Sequence, residues 1–271
     1  MLRIDAHQHF WHYQPEAFSW IDNSALKQDF LPAQLRPELS ATQIDGCIAV
    51  QARPCEAENQ FLCDLAAHHD EILGVVGWID LQQPDPVALD PRCCGFRHPV
   101  QDEADPVAWL ASDVVARGMR QLQQQQFSWD LLVTHHHLQQ AAVFAQRHDA
   151  HWIVLDHLGK PDIAAGAEQW KQQIAPLAAL PHVVCKLSGL VTEAGAGWQG
   201  AQLLPFFDAA LALFGPSRLM FGSDWPVSQG EARYQQVCDL CQQLTQTLSQ
   251  PEQQAIWGGT AQRVYLKGNT A

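Results

Sequence analysis

The chain has 271 residues, with 16 Lys and Arg against 29 Asp and Glu, a formal net charge of −13. A surface of that sign repels phosphate backbones and anionic lipid, so nucleic acid and membranes are not expected partners, although a local group of Arg, Lys and metal outweighs a distant field that salt screens within about 8 Å. The length suits one α/β domain with a large core, residues 1–271 forming a single unit.

The start, Met1 to His7, carries no basic segment followed by an apolar run, and no stretch approaches the roughly 20 apolar residues of a membrane span. A cytoplasmic protein is expected. The eight cysteines are scattered at positions 47, 55, 63, 93, 94, 185, 238 and 241, and a chain this long needs no disulfides, so reduced, packed thiols are expected. Cys238-x-x-Cys241 has a zinc-like spacing but no second such pair, and it falls in a predicted helix.

In chain order, Ile4 to Phe10 opens as a strand. Side chains alternate along a strand, so His7 and His9 share one face, and two imidazoles there can hold one cation. Residues 11 to 40, rich in aromatics and prolines, predict a long loop with short helical pieces, of the length that lids and binding loops have. Cys47 to Gln51 is the second strand, Glu56 to His69 a helix, and Ile72 to Asp80 the third strand. After a Pro/Asp-rich turn, Cys93 to His98 is the fourth strand, ending in Arg97 and His98. Residues 106 to 118 predict a helix, Leu131 to Val133 a fifth strand running into His135, His136 and His137, and 138 to 148 a helix. Gln123 to Gln126 is read as solvated surface. His151 to His157 is the sixth strand, Glu168 to Ala179 a helix, Val183 to Gly189 the seventh strand, Leu203 to Phe214 a helix. Arg218 to Asp224 is the eighth strand, closed by Trp225-Pro226, and residues 231 to 266 predict two or three helices.

These apolar runs are continuous rather than alternating, as in parallel strands covered on both faces. Eight strand and helix units predict a (β/α)8 barrel of one domain. A doubly wound open sheet is the alternative, but no Gly-x-Gly-x-x-Gly follows the first strand. In such a barrel the chemistry sits at the C-terminal strand ends, which here supply His7, His9, Arg97, His98, His157, Lys186 and Asp224. Each has a structural reading when taken alone: a hydrogen-bonded histidine, a turn-capping aspartate, a lysine paired with a carboxylate. Trp11, Trp20, Trp78 and Trp225 offer flat apolar walls for a sugar ring or simple packing, and His98 and Glu103 offer partners for hydroxyls.

Five ordered segments, Asp5-Ala6-His7-Gln8-His9-Phe10-Trp11, Gly95-Phe96-Arg97-His98, Leu155-Asp156-His157-Leu158-Gly159-Lys160-Pro161, Cys185-Lys186-Leu187-Ser188-Gly189 and Phe221-Gly222-Ser223-Asp224-Trp225-Pro226, resemble the amidohydrolase superfamily. Within it they are most similar to the branch that contains sugar lactonases. The resemblance implies a (β/α)8 barrel, metal ligation by His7 and His9, and an Asp224 that serves both as a metal-side carboxylate and as proton acceptor. The chain departs from binuclear members of the superfamily, which carry a bridging Lys or Glu at strand 4 and histidines at strands 5 and 6. One divalent cation, zinc or manganese, on His7, His9, His157 and Asp224 is therefore expected, or a site that works without metal through hydrogen bonds from His7, His9, Arg97 and Lys186. The expected reaction is hydrolysis of a sugar-derived 1,5- or 1,4-lactone. Asp224, His157 and Lys186 are its candidate catalytic residues, and Arg97, His98, Trp11 and Trp225 its candidate substrate contacts. Two other readings remain: a metal-dependent decarboxylase of the same superfamily, and a non-catalytic metal-binding barrel.

Overall fold

Eight short parallel strands lie side by side in the order in which the chain makes them: β1 (Ile4–Gln8), β2 (Gly46–Val50), β3 (Ile72–Trp78), β4 (Cys93–His98), β5 (Ser128–Leu131), β6 (Ile153–Leu155), β7 (Val183–Leu187) and β8 (Leu219–Phe221). This is a computed structural model, and it describes residues 1–82 and 90–266. The Pro/Asp-rich turn expected before β4 lies in its stretch 83–89 outside the described residues. The sheet closes at the C-terminal ends of β1 and β8. There Gln8 bridges Trp225 in parallel, the His9 N–H donates to the Trp225 carbonyl (2.7 Å) and the Asp224 N–H to the His7 carbonyl (2.8 Å).

Among the described residues the α-helices are α1 (Pro32–Thr42), α2 (Glu56–His68), α3 (Pro106–Ala111), α4 (Asp113–Gln124), α5 (Leu138–Arg147), α6 (Ala167–Ala178), α7 (Leu190–Ala194), α8 (Gly200–Phe214), α9 (Tyr234–Thr245), α10 (Gln250–Gln254) and α11 (Thr260–Tyr265). Two apolar layers result. Inside the barrel, Ile4, Ile48, Val76, Val154, Val184 and Met220 pack together, and Ala261, Val264 and Tyr265 of α11 plug the N-terminal end. Between strands and helices a larger layer includes Trp129, Trp170 and Phe206. Strands covered on both faces are why their sequences are apolar without alternation, and each aliphatic side chain fully buried this way contributes about 1.5–3 kcal/mol.

Four local expectations are corrected. The helix expected over 106–118 is two, because Ser112 leaves helical conformation (ψ 131°) and its side chain caps Val115 N–H. The fifth strand lies earlier, at Ser128–Leu131, since Ser128 and Asp130 find partners inside the barrel: Ser128 Oγ donates to the Cys94 carbonyl and Asp130 receives Lys186. The sixth strand ends at Leu155, and Asp156 begins a tight turn. Within the glutamine tract, Gln123 is buried and its amide donates to the His148 and His151 carbonyls, so only Gln124 to Gln126 are at the surface. All eight cysteines are free, Cys238 and Cys241 being buried in α9. Among the described residues no helix is long and apolar enough to cross a membrane.

Candidate active site

Closure of β1 onto β8 fixes three of the expected residues relative to one another. Asp5, fully buried, accepts from Ser223 N–H (2.8 Å), Ser223 Oγ (2.6 Å) and Tyr234 Oη (3.0 Å), so one carboxylate ties β1, the segment after β8 and α9 together. Burial pushes its pKa up to about 6 against those hydrogen bonds. Asp224 follows in the left-handed region (φ 58°), a costly conformation for a non-glycine residue that is held by its N–H on the His7 carbonyl. Its Oδ1 then stands 3.5 Å from His9 Nε2 and 3.8 Å from His7 Nε2.

His9 Nδ1 lies 2.8 Å from the Val50 carbonyl. A carbonyl only accepts, so Nδ1 carries the proton and Nε2 presents its lone pair to the mouth. His7 Nε2 is 3.2 Å from that nitrogen. The third histidine arrives by an unusual route: His157, Leu158, Gly159 and Lys160 all have positive φ (52°, 54°, 67° and 50°), so the chain turns left-handed for four residues after β6. The turn sets the His157 ring 4.4 Å from that of His7 and its Nδ1 2.9 Å from Ser188 Oγ. Ligand atoms of His7, His157 and Asp224 all lie within 4.8 Å of one another.

Burial lowers the His157 pKa to about 4, although Asp224 and Asp156 oppose it. His7 is lowered well below the ordinary histidine value by burial and by the Lys186 charge. Both rings are therefore neutral at neutral pH, the form that binds metal. For Asp224 burial acts upward, but the neighbouring His157, His9 and Lys160 outweigh it and hold the carboxyl below its ordinary value. This donor set, imidazole nitrogens with one carboxylate, suits zinc or manganese.

Lys186 and Arg97 lie beneath the histidines. Lys186 Nζ is 2.5 Å from Asp130 Oδ2, 3.0 Å from Asp156 Oδ1 and 3.1 Å from His7 Nδ1, all of them fully buried. Arg97 donates to Asp156 Oδ2 (2.9 Å) and to the Gln51 carbonyl (2.5 Å). His98 is not brought to this group. Its ring stacks on Trp109, Nδ1 accepts from Trp78 Nε1 and Nε2 is 2.6 Å from Glu103, so His98 and Glu103 bind each other. Trp11 and Trp225 are buried in one aromatic cluster through Phe30, with ring centroids 5.3 and 5.4 Å from it. Asp5, Asp130, Asp156 and Tyr265 escape the sequence reading. Asp5 and Asp156 lie within the histidine-bearing segments but are given no role there, and Asp130 alternates with Ser128 between apolar neighbours.

The chain matches the family model described as Amidohydrolase over residues 4–267. It is 45% identical over 283 residues to an L-fucono-1,5-lactonase of Burkholderia multivorans, covering 97% of this chain and 96% of that one. To an L-fucono-1,5-lactonase of Burkholderia ambifaria it is 36% identical over 277 residues, 97% and 95% being covered. A crystal structure of an amidohydrolase from Burkholderia multivorans with bound zinc superposes with a TM-score of 0.92 at 44% identity, over 98% of this chain and 99% of that one.

Proposed function

The chain belongs to the amidohydrolase family, and from that premise we propose that it is a hydrolase opening a sugar-derived lactone, with a 1,5-lactone of the L-fuconate kind as first candidate. The observation that carries the reading is the buried Asp224 carboxylate, kept ionised beside His9 and His7. Lactone hydrolysis needs a base for water, an electrophilic carbonyl, and donors for the oxyanion. Asp224 takes the proton of the attacking water and returns one to the alkoxide that leaves as the ring opens. The Arg97 guanidinium, 3.4 Å from His7 Nε2, contributes positive potential where the oxyanion forms. Lys186, fully buried, has its charge balanced by Asp130 and Asp156, and it bears on the reaction through His7, 3.1 Å away.

His7, His9, His157 and Asp224 would hold the divalent cation, and the bound zinc of the similar crystal structure supports zinc. Such an ion supplies Lewis acidity to the carbonyl and lowers the pKa of water towards about 7. The eight free thiols support reducing, cytoplasmic surroundings.

The direct test follows acid release from a panel of aldonolactones with a pH indicator, with and without chelator. Turnover that chelation abolishes and zinc restores is expected. Acid release that persists through chelation removes the metal alone, and no release from any lactone sinks the reading.

A further inference from the structure

A cation in the loop after β2 has no part in the chemistry above. Glu58, in the first turn of α2, is buried with both oxygens committed: Oε1 accepts from Ala52 N–H (2.9 Å) and Oε2 from Arg53 Nε (2.7 Å). That carboxylate fixes the plane of the guanidinium without covering it, since the Arg53 side chain keeps 24% exposure and among the described residues only Nε has a hydrogen-bond partner. The guanidinium lies over the Phe18 ring, 5.5 Å from its centroid. Arg53, Glu58, Phe18, Trp11 and Phe61 line a small cavity of ≈ 170 Å³.

The chain itself places this cavity beside the catalytic group. Trp11 stands two residues beyond His9. Arg53 stands two beyond Gln51, whose carbonyl holds Arg97, and three beyond Val50, whose carbonyl holds His9. Two residues span at most about 7 Å, so the backbone at Trp11 and at Arg53 lies no farther than that from the backbone at His9 and at Gln51. The lining offers the four N–H bonds of Nη1 and Nη2 on one side and aromatic faces on the other, which matches a ligand with adjacent hydroxyls and an apolar C–H edge.

Building on the lactonase reading, we propose that Arg53 is a specificity-determining residue that donates to the ring hydroxyls of the sugar lactone, with Glu58 as its positioning residue and the half-buried Phe61 facing the apolar edge of the ring. The contacts are made in ground state and transition state alike, so they act on KM.

The test compares wild type with Arg53→Met, Arg53→Lys and Glu58→Gln on the aldonolactone panel, with zinc content and melting temperature measured on each. Arg53→Met is expected to raise KM about tenfold or more, the size of one lost charge-assisted hydrogen bond, with kcat within about threefold and zinc content unchanged. Arg53→Lys, which keeps the ion pair but loses the fork, recovers part of the loss, and Glu58→Gln falls between. A KM unchanged in Arg53→Met, or a loss confined to kcat, overturns the proposal. Calorimetric titration of the corresponding aldonates separates it from the lactonase reading: if wild type hydrolyses no lactone, that reading fails. Aldonate binding weakened about tenfold by Arg53→Met then still upholds the site, whereas equal binding, or none to wild type, overturns it.

Discussion

Lys186 Nζ lies 3.1 Å from His7 Nδ1, and it also stands 2.5 Å from Asp130 Oδ2 and 3.0 Å from Asp156 Oδ1. Beneath the mouth, two cations, Lys186 and Arg97, are thus set against two carboxylates, and Tyr265 of α11 donates to Asp130 from the closed end of the barrel (2.8 Å to each oxygen). Lys186→Met leaves buried carboxylates without their cation and is expected to cost about 3–5 kcal/mol in urea unfolding. Tyr265→Phe removes one donor and leaves the lysine in place. It is expected to cost about 1–3 kcal/mol while KM and zinc content stay at the wild-type level. A Lys186→Met protein as stable as wild type would contradict the balance of charges described here.

Gly189 makes room for His157. At φ 72°, a Cβ built there would lie 2.8 Å from the His157 Nδ1 and 2.9 Å from its Cβ and Cγ. Gly189→Ala therefore pushes the imidazole off Ser188, and a loss of at least about tenfold in kcat/KM is expected, since an ångström of misplacement at a site costs that or more. Gly197→Ala is the control. It has a similar φ of 80° with nothing within 4 Å, so it carries the backbone cost of about 1 kcal/mol and keeps its activity. Equal activity in the two variants would refute the steric argument.

Three buried imidazoles set the acid stability. His7 lies well below the ordinary value of 6.5, and burial lowers His148 and His157 to about 4. Their folded pKa values are depressed, so the unfolded chain binds the protons first as pH falls. The stability they contribute is complete above 6.5 and is lost between 6.5 and about 4, up to roughly 3 kcal/mol each for His148 and His157. Asp5 and Asp130, raised by burial from 3.8 to about 6, have the opposite sign in that window and offset part of the loss. His137, lowered, and Glu193, raised, oppose each other. The urea midpoint of the chelated protein is accordingly expected to fall from pH 7 to pH 4.5, and a rising midpoint would show that the carboxylates dominate.

Strand order and barrel closure were legible because strands covered on both faces are runs of Val, Ile and Leu, and the mouth residues sit where those runs end. That rule gathers His7, His9, His157 and Asp224, and the structure brings them together. Asp130 was not, because a polar residue inside a strand breaks the apolar signal that locates the strand, and β5 was placed three residues late. Arg53 and Glu58 were missed for another reason. Their meaning depends on a hydrogen bond that closes a loop and on a cavity made with residues 35 or more positions earlier, and neither leaves a period in the sequence. His98 also ends a strand, but its ring stacks on Trp109 of α3.

Asp224→Asn tests the centre of the mechanism with little change in volume. The carboxylate is already ionised at neutral pH, so the wild type needs no pH adjustment to accept a proton, whereas the amide has no basicity to offer. A loss of about 10²–10⁴ in kcat with a modest change in KM is expected, the range for removal of a positioned general base. Zinc content, measured on the same samples, separates two ways of losing activity. Retained zinc with lost kcat assigns the residue to proton transfer, and lost zinc assigns it to holding the ion. Full turnover in Asp224→Asn excludes both roles and returns the base to one of the histidines at the mouth.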